Sequence, residues 1–165
     1  MITMIEFSSA SGYTGTGYPI PDVTYTAMYF NNIVSNDFGI TASTGYAFPS
    51  SQGIKVRYAG LYRVSFNCTW EPNVAGFRIA RILAGAAQFA ISTTGSPRTL
   101  VTAAGASVFF SQSVTGIVYL WPNDIVTAEV YQSSGGNLNV IRTDSAWPAG
   151  GVVNPTLSIS LCVPQ

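Results

Sequence analysis

Leu61-Tyr62-Arg63-Val64-Ser65-Phe66-Asn67-Cys68-Thr69-Trp70 decides the fold. Tyr62, Val64, Phe66, Cys68 and Trp70 share one parity, and Arg63, Ser65, Asn67 and Thr69 share the other. Successive side chains of an extended chain point to opposite faces, so this alternation describes a strand with one face in a core and one outside it. Pro72-Asn73 ends the run. The same habit recurs on both sides. Short stretches rich in Val, Ile, Thr, Tyr and Phe are punctuated by Gly, Pro, Asn and Ser. Strands are expected at 28–34, 38–42, 54–58, 77–83, 89–92, 107–113, 116–121, 125–131, 138–143 and 156–163, with turns at 103–105, 122–124 and 133–136. No segment carries a clean helical stripe. Many short strands joined by short turns predict an all-β domain, a sandwich or barrel around one core.

The chain has 165 residues, enough for a single core. Only 8 % of them are charged, against roughly 25 % in ordinary soluble domains. A surface so poor in Lys, Arg, Asp and Glu is expected to be covered by partners, which points to an oligomer or a larger assembly. Seven basic and seven acidic residues cancel, and Lys55 is the single lysine. Phosphate recognition draws on a concentrated positive field, so neither nucleic acid nor an anionic membrane is expected as a partner. The opening MITMIEFSSA has no basic start and carries Glu6, which does not read as a secretion signal. Cys68 and Cys162 are read as free thiols of a reduced compartment.

The chemistry of catalysis is thin. There is no histidine, which removes Ser-His-Asp and Cys-His arrangements and the commonest zinc ligands. No phosphate-cradling glycine motif occurs. Of the seven carboxylates, Asp37 and Asp124 sit in turn positions, where short acceptors cap backbone, and Glu129 sits on the polar face of a strand. Neither an enzyme, nor a metal site, nor a cofactor is expected.

Residues 1–26 look different from 27–165. The run SSASGYTGTGYPIPDVTYT is rich in Gly, Ser, Thr and Tyr. It reads as an extended arm, whose Tyr13, Tyr18 and Tyr25 are candidates for docking on a partner because a tyrosine can lie on an apolar surface and still hydrogen-bond. Tyr29, Tyr119, Trp121 and Tyr131 fall near strand ends and are candidates for a subunit interface.

Three stretches resemble the C1q/TNF-like jelly roll. Ala59-Gly60-Leu61-Tyr62-Arg63-Val64-Ser65-Phe66 resembles that family's Gly-x-Tyr strand, with Gly60, Tyr62 and Phe66 as the matching residues. Leu120-Trp121-Pro122-Asn123-Asp124-Ile125-Val126 resembles its Gly-Asp turn, with Asp124 matched and Asn123 in place of glycine. Phe30 to Asn36 and Gly45-Tyr46-Ala47-Phe48 resemble its opening pieces. The closing strand lacks the family's aromatic ending, and no collagen-like stalk is present. The resemblance implies a jelly-roll β-sandwich that forms a homotrimer and serves as a recognition or capping module. A free-standing domain of this kind resembles bacteriophage virion proteins, which implies assembly in the host cytoplasm and residence in the virion. One implied role is a capsid decoration (minor capsid) protein that binds the major capsid protein or another virion protein through its arm. The other is a tail-tip or fibre module that binds a host glycan or protein through loops such as Tyr46, Trp147 or 133–136.

Overall fold

A computed structural model describes residues 2–6, 17–28, 30, 32–35, 53–56, 58–73, 75–86, 98–105, 110–141 and 155–164. Among them are twelve strands, and every pairing is antiparallel. The first sheet holds β1 (Ile2–Glu6), β2 (Gly17–Ile20), β4 (Asn32–Ser35), β6 (Gly60–Trp70), β9 (Phe110–Leu120), β11 (Leu138–Ile141) and β12 (Thr156–Pro164). Its order runs β2-β11-β6-β12-β1-β4, with β9 on the other side of β6. The second sheet holds β3 (Thr26–Ala27), β5 (Ile54–Lys55), β7 (Arg78–Ala86), β8 (Arg98–Gly105) and β10 (Asp124–Gln132), in the order β3-β10-β7-β8 with β5 also on β10. The chain passes back and forth between sheets, so sequence neighbours seldom pair. This is the expected jelly-roll sandwich.

β6 is its spine. Tyr62, Val64, Phe66, Cys68 and Trp70 are all buried, as the alternation requires. They meet Ala80, Ile82 and Ala84 of β7 and Val126, Ala128 and Val130 of β10 across the sandwich. Phe30 packs edge-on against Phe66, with ring centroids 6.2 Å apart. Burying side chains of this size contributes roughly 1.5–3 kcal/mol each before chain entropy is counted. A polar bridge joins the two layers. The Trp70 indole Nε1 donates to Gln112 Oε1 at 2.9 Å, and Gln112 Nε2 donates to the Arg78 carbonyl at 3.1 Å. A buried amide is tolerated there because its oxygen and its nitrogen both find partners.

Several expectations are corrected. β9 is one unbroken strand in register with β6 over eleven positions, not two runs broken near 114–115. The inward positions of β9 include Gln112 and Gly116, and a polar and a side-chainless residue there hide the period. Residues 103–105, expected as a turn, end β8, which pairs with β7 through a bulge between Ile82 and Leu83. The domain does not begin at 27. β1 pairs with both β12 and β4, and β2 pairs with β11. Tyr18 and Ile20 are core residues. β2 carries Pro19 at the end of the sheet order, where a missing N–H costs no ladder bond. Gly17 is required here, since a Cβ would come within 2.6 Å of Asn139 Cβ. The expected strands at 38–42 and 89–92, and residues 7–16 of the expected arm, lie outside the described residues.

Candidate functional site

The outward face of the first sheet is built from the residues of β6, β9 and β12 that do not enter the core. Over most of its length it is a field of hydroxyls and amides. Ser65 Oγ and Ser158 Oγ are 2.7 Å apart, Thr69 Oγ1 and Ser111 Oγ are 2.9 Å apart, and Asn67 Nδ2 donates to Thr156 Oγ1 at 3.3 Å. Toward the start of β6 the character changes. Leu61 faces Tyr119 and Arg63 faces Ile117 across the β6–β9 ladder. Directly opposed residues share a face, so Leu61, Ile117 and Tyr119 stand together. Trp121 follows, its ring 4.9 Å from that of Tyr119 in an edge-on contact. Ile117 is 68 % exposed and Trp121 59 %, and Leu61 and the nearby Tyr58 are exposed as well.

The turn that ends this patch is held from within. The Trp121 N–H donates to Asp124 Oδ2 at 3.0 Å, and the Asp124 N–H donates to the Trp121 carbonyl at 3.0 Å. Asn123 takes a φ of 73°, the left-handed region where the family pattern has glycine and where asparagine is the best-suited alternative. Asp124 is thus a turn-holding residue. At the start of β6, buried Tyr62 donates its hydroxyl to the Tyr58 carbonyl at 2.8 Å. Burial pushes the phenol above its ordinary pKa. Gly60 and Phe66 are buried, as the sequence motif requires.

The remaining candidates are dispersed. Tyr18 is only 5 % exposed and its hydroxyl lies 3.5 Å from the Ala27 carbonyl, so it packs the chain's own core instead of docking on a partner. Tyr25 is exposed, but it meets Tyr131 on the second sheet with ring centroids 5.0 Å apart. The four expected interface residues therefore split: Tyr119 and Trp121 stand on one sheet and Tyr131 on the other. Tyr13 and Tyr29 lie outside the described residues, as do Tyr46 and Trp147. The 133–136 turn is pinned by Gln132. Its Oε1 accepts the Ser134 N–H at 2.7 Å and its Nε2 donates to the Ile20 and Gly136 carbonyls. Leu61 and Ile117 were missed by the sequence reading. Their signal was present as two large aliphatics at the parity of serines and threonines.

The carboxylates whose side chains are described hold structure: Asp22 accepts the Gly135 N–H, Glu71 accepts two bonds from Asn139, Asp124 holds its turn and Glu129 pairs with Arg81. No group of three or more His, Cys, Asp or Glu side chains that could hold a metal occurs among the described residues. Burial pushes the Cys68 thiol up to about 12, which leaves it inert, and Cys162 is an exposed free thiol on the bulge of β12. No helix among the described residues is long and apolar enough to cross a membrane.

No protein-family model and no curated protein sequence matches the chain. Solved structures do. The crystal structure of murine APRIL at pH 8.5 is similar with a TM-score of 0.59 and 13 % identity, covering 98 % of this chain and 100 % of that one. The structure of Eiger TNF from S. frugiperda is similar with a TM-score of 0.56 and 9 % identity, covering 100 % of this chain and 94 % of that one. At such identity the likeness speaks for the fold alone, and it establishes a TNF-like jelly roll.

Proposed function

We propose that the chain acts by assembly: a homotrimer of jelly rolls that decorates the outer shell of a bacteriophage capsid and stabilises it. The observation that supports this reading most is the outward face of β6 and β9. It carries Arg63 as its one charged residue and ends in an apolar patch of exposed Leu61, Ile117 and Trp121 with half-buried Tyr119. Monomeric proteins seldom leave large side chains clustered in this way, and aromatic residues are enriched at interface centres. A second copy is the occupant that best fits, because the hydroxyl field continuing from the patch has no charge for a charged partner to match. A closed three-fold ring uses a heterologous contact, with the patch of one protomer against a different surface of the next. The scarcity of charge along the whole chain favours a protein hemmed in by neighbours.

The test has two stages. Light scattering on the purified chain should give three times the 17.5 kDa chain mass. Purified phage shells lacking the chain, incubated with it, should then take it up in multiples of three and dissociate at a higher temperature. Uptake by host cells in place of shells would move the assignment to a tail receptor-binding module. A monomer that binds neither would remove the reading altogether.

A further inference from the structure

The outward face of the second sheet carries a cluster that lies outside the core. Tyr25 precedes β3, Glu129 and Tyr131 lie on β10, and Arg81 lies on β7. Glu129 stands opposite both Ala27 and Arg81, so these groups share one face of three neighbouring strands. Arg81 Nε and Nη2 both donate to Glu129 Oε2, at 2.9 and 2.6 Å. The Arg81 guanidinium carbon lies 3.6 Å from the Tyr25 ring centroid. The tyrosine therefore reaches across β10 and rests on the guanidinium. The Tyr131 ring lies beside it, with centroids 5.0 Å apart and planes tilted by 40°. With those contacts made, Tyr25 still keeps 42 % of its surface open.

Two features define what this platform suits. It is neutral, because the guanidinium beneath the ring is matched by the Glu129 carboxylate. Its rim is not saturated. Glu129 Oε1, Arg81 Nη1 and the phenol hydroxyls of Tyr25 and Tyr131 make no hydrogen bond to the described residues. An apolar protein surface laid over this cluster would bury those polar atoms unpaired, which is unfavourable. A sugar ring offers an apolar C–H face of about the size of the tyrosine ring, edged by hydroxyls that both donate and accept. We propose that Tyr25, Arg81, Glu129 and Tyr131 form a binding site for a neutral saccharide. The sugar ring stacks on the open face of Tyr25, with its hydroxyls bonded to Glu129 Oε1 and Arg81 Nη1. The two sheets of a sandwich face opposite ways. A trimer whose patch docks on another surface than this one leaves the site open on each protomer, and three weak sites on one particle add by avidity. The inference stands independently of the capsid assignment.

Saturation-transfer difference NMR on the full chain tests it, with glucose, galactose, N-acetylglucosamine and the acidic sugar sialic acid as separate millimolar probes. At least one neutral sugar should show transfer concentrated on the ring protons of one face. Tyr25→Ala should cut that transfer at least tenfold, Tyr25→Phe should retain it, and Glu129→Gln should weaken it several-fold. Unchanged near-ultraviolet circular dichroism shows that each variant is folded. If Tyr25→Ala does not fold, Glu129→Gln decides, and undiminished binding in that variant overturns the proposal. So does transfer to no neutral sugar, transfer to sialic acid alone, or transfer that survives Tyr25→Ala.

Discussion

The two outward faces of the sandwich are made from the same kind of strand and end up different. On the second sheet the large side chains engage one another: Arg81 pairs with Glu129 and stacks under Tyr25, which meets Tyr131. On the first sheet the hydroxyls pair in short rows, whereas Leu61 and Ile117 face outward with much of their surface open. One face spends its bulky groups on itself, and the other holds them out. The difference teaches where a partner copy belongs. Apolar area already covered within a chain gains little from a partner, whereas open area gains in proportion to what is removed from water.

Substitutions on the two faces should therefore separate assembly from folding. Ile117→Glu has the largest expected effect. A charge forced into an interface centre costs about 2–4 kcal/mol per contact, so the trimer should give way to monomer at micromolar concentration in a sedimentation run. The same variant should keep its unfolding midpoint as a monomer, because Ile117 makes no part of the core. Arg81→Ala should do the reverse. It leaves the trimer intact but lowers chain stability by about 1 kcal/mol, the combined size of a partly exposed ion pair and a ring contact, readable by urea titration. Ser65→Ala on the hydroxyl field should cost about 0.5 kcal/mol or less in the same titration, since its hydroxyl can be replaced by water.

The thiols give a chemical readout of the same layout. In native protein at pH 8 a thiol reagent should modify Cys162 and spare Cys68, one equivalent per chain, rising to two in denaturant. Because burial raises the Cys68 pKa in the folded state, the unfolded chain ionises first. The thiol's contribution to stability is complete below its ordinary value of 9.0 and is lost as pH rises from there toward about 12. A midpoint that falls only in that alkaline window, and does not do so in Cys68→Ala, would confirm the sign.

Much of the sandwich was legible in the sequence, and the reasons are local. β6 carries strict alternation along its whole length, and β12 carries it from Leu157 to Leu161, because the inward side chains of both enter the core. β9 was hidden by Gln112, which sits inward only because Trp70 and the Arg78 carbonyl complete its bonding, a fact that depends on the opposite sheet. β2 was hidden by Gly17 and Pro19, which read as linker residues until β11 lies beside them. Tyr18 was misplaced for the same cause: a tyrosine among glycines looks exposed, yet its position in β2 turns it into the core. At the candidate site, Tyr119 and Trp121 were legible as aromatics near a strand end. Ile117 was not, because β9 had been divided and its parity lost at 114–115, and Leu61 was not, because it stands at the polar parity of β6 beside Arg63. Tyr131 was grouped with them from its place near a strand end, and only the partition of strands between sheets separates it.

Light scattering coupled to size exclusion, on the intact chain beside Ile117→Glu, tests the central claim most directly. Assembly through the β6–β9 face predicts three times the 17.5 kDa chain mass for the intact chain and a folded monomer for the variant. An intact chain that stays monomeric at tens of micromolar, or a trimer that Ile117→Glu leaves undisturbed, would contradict it.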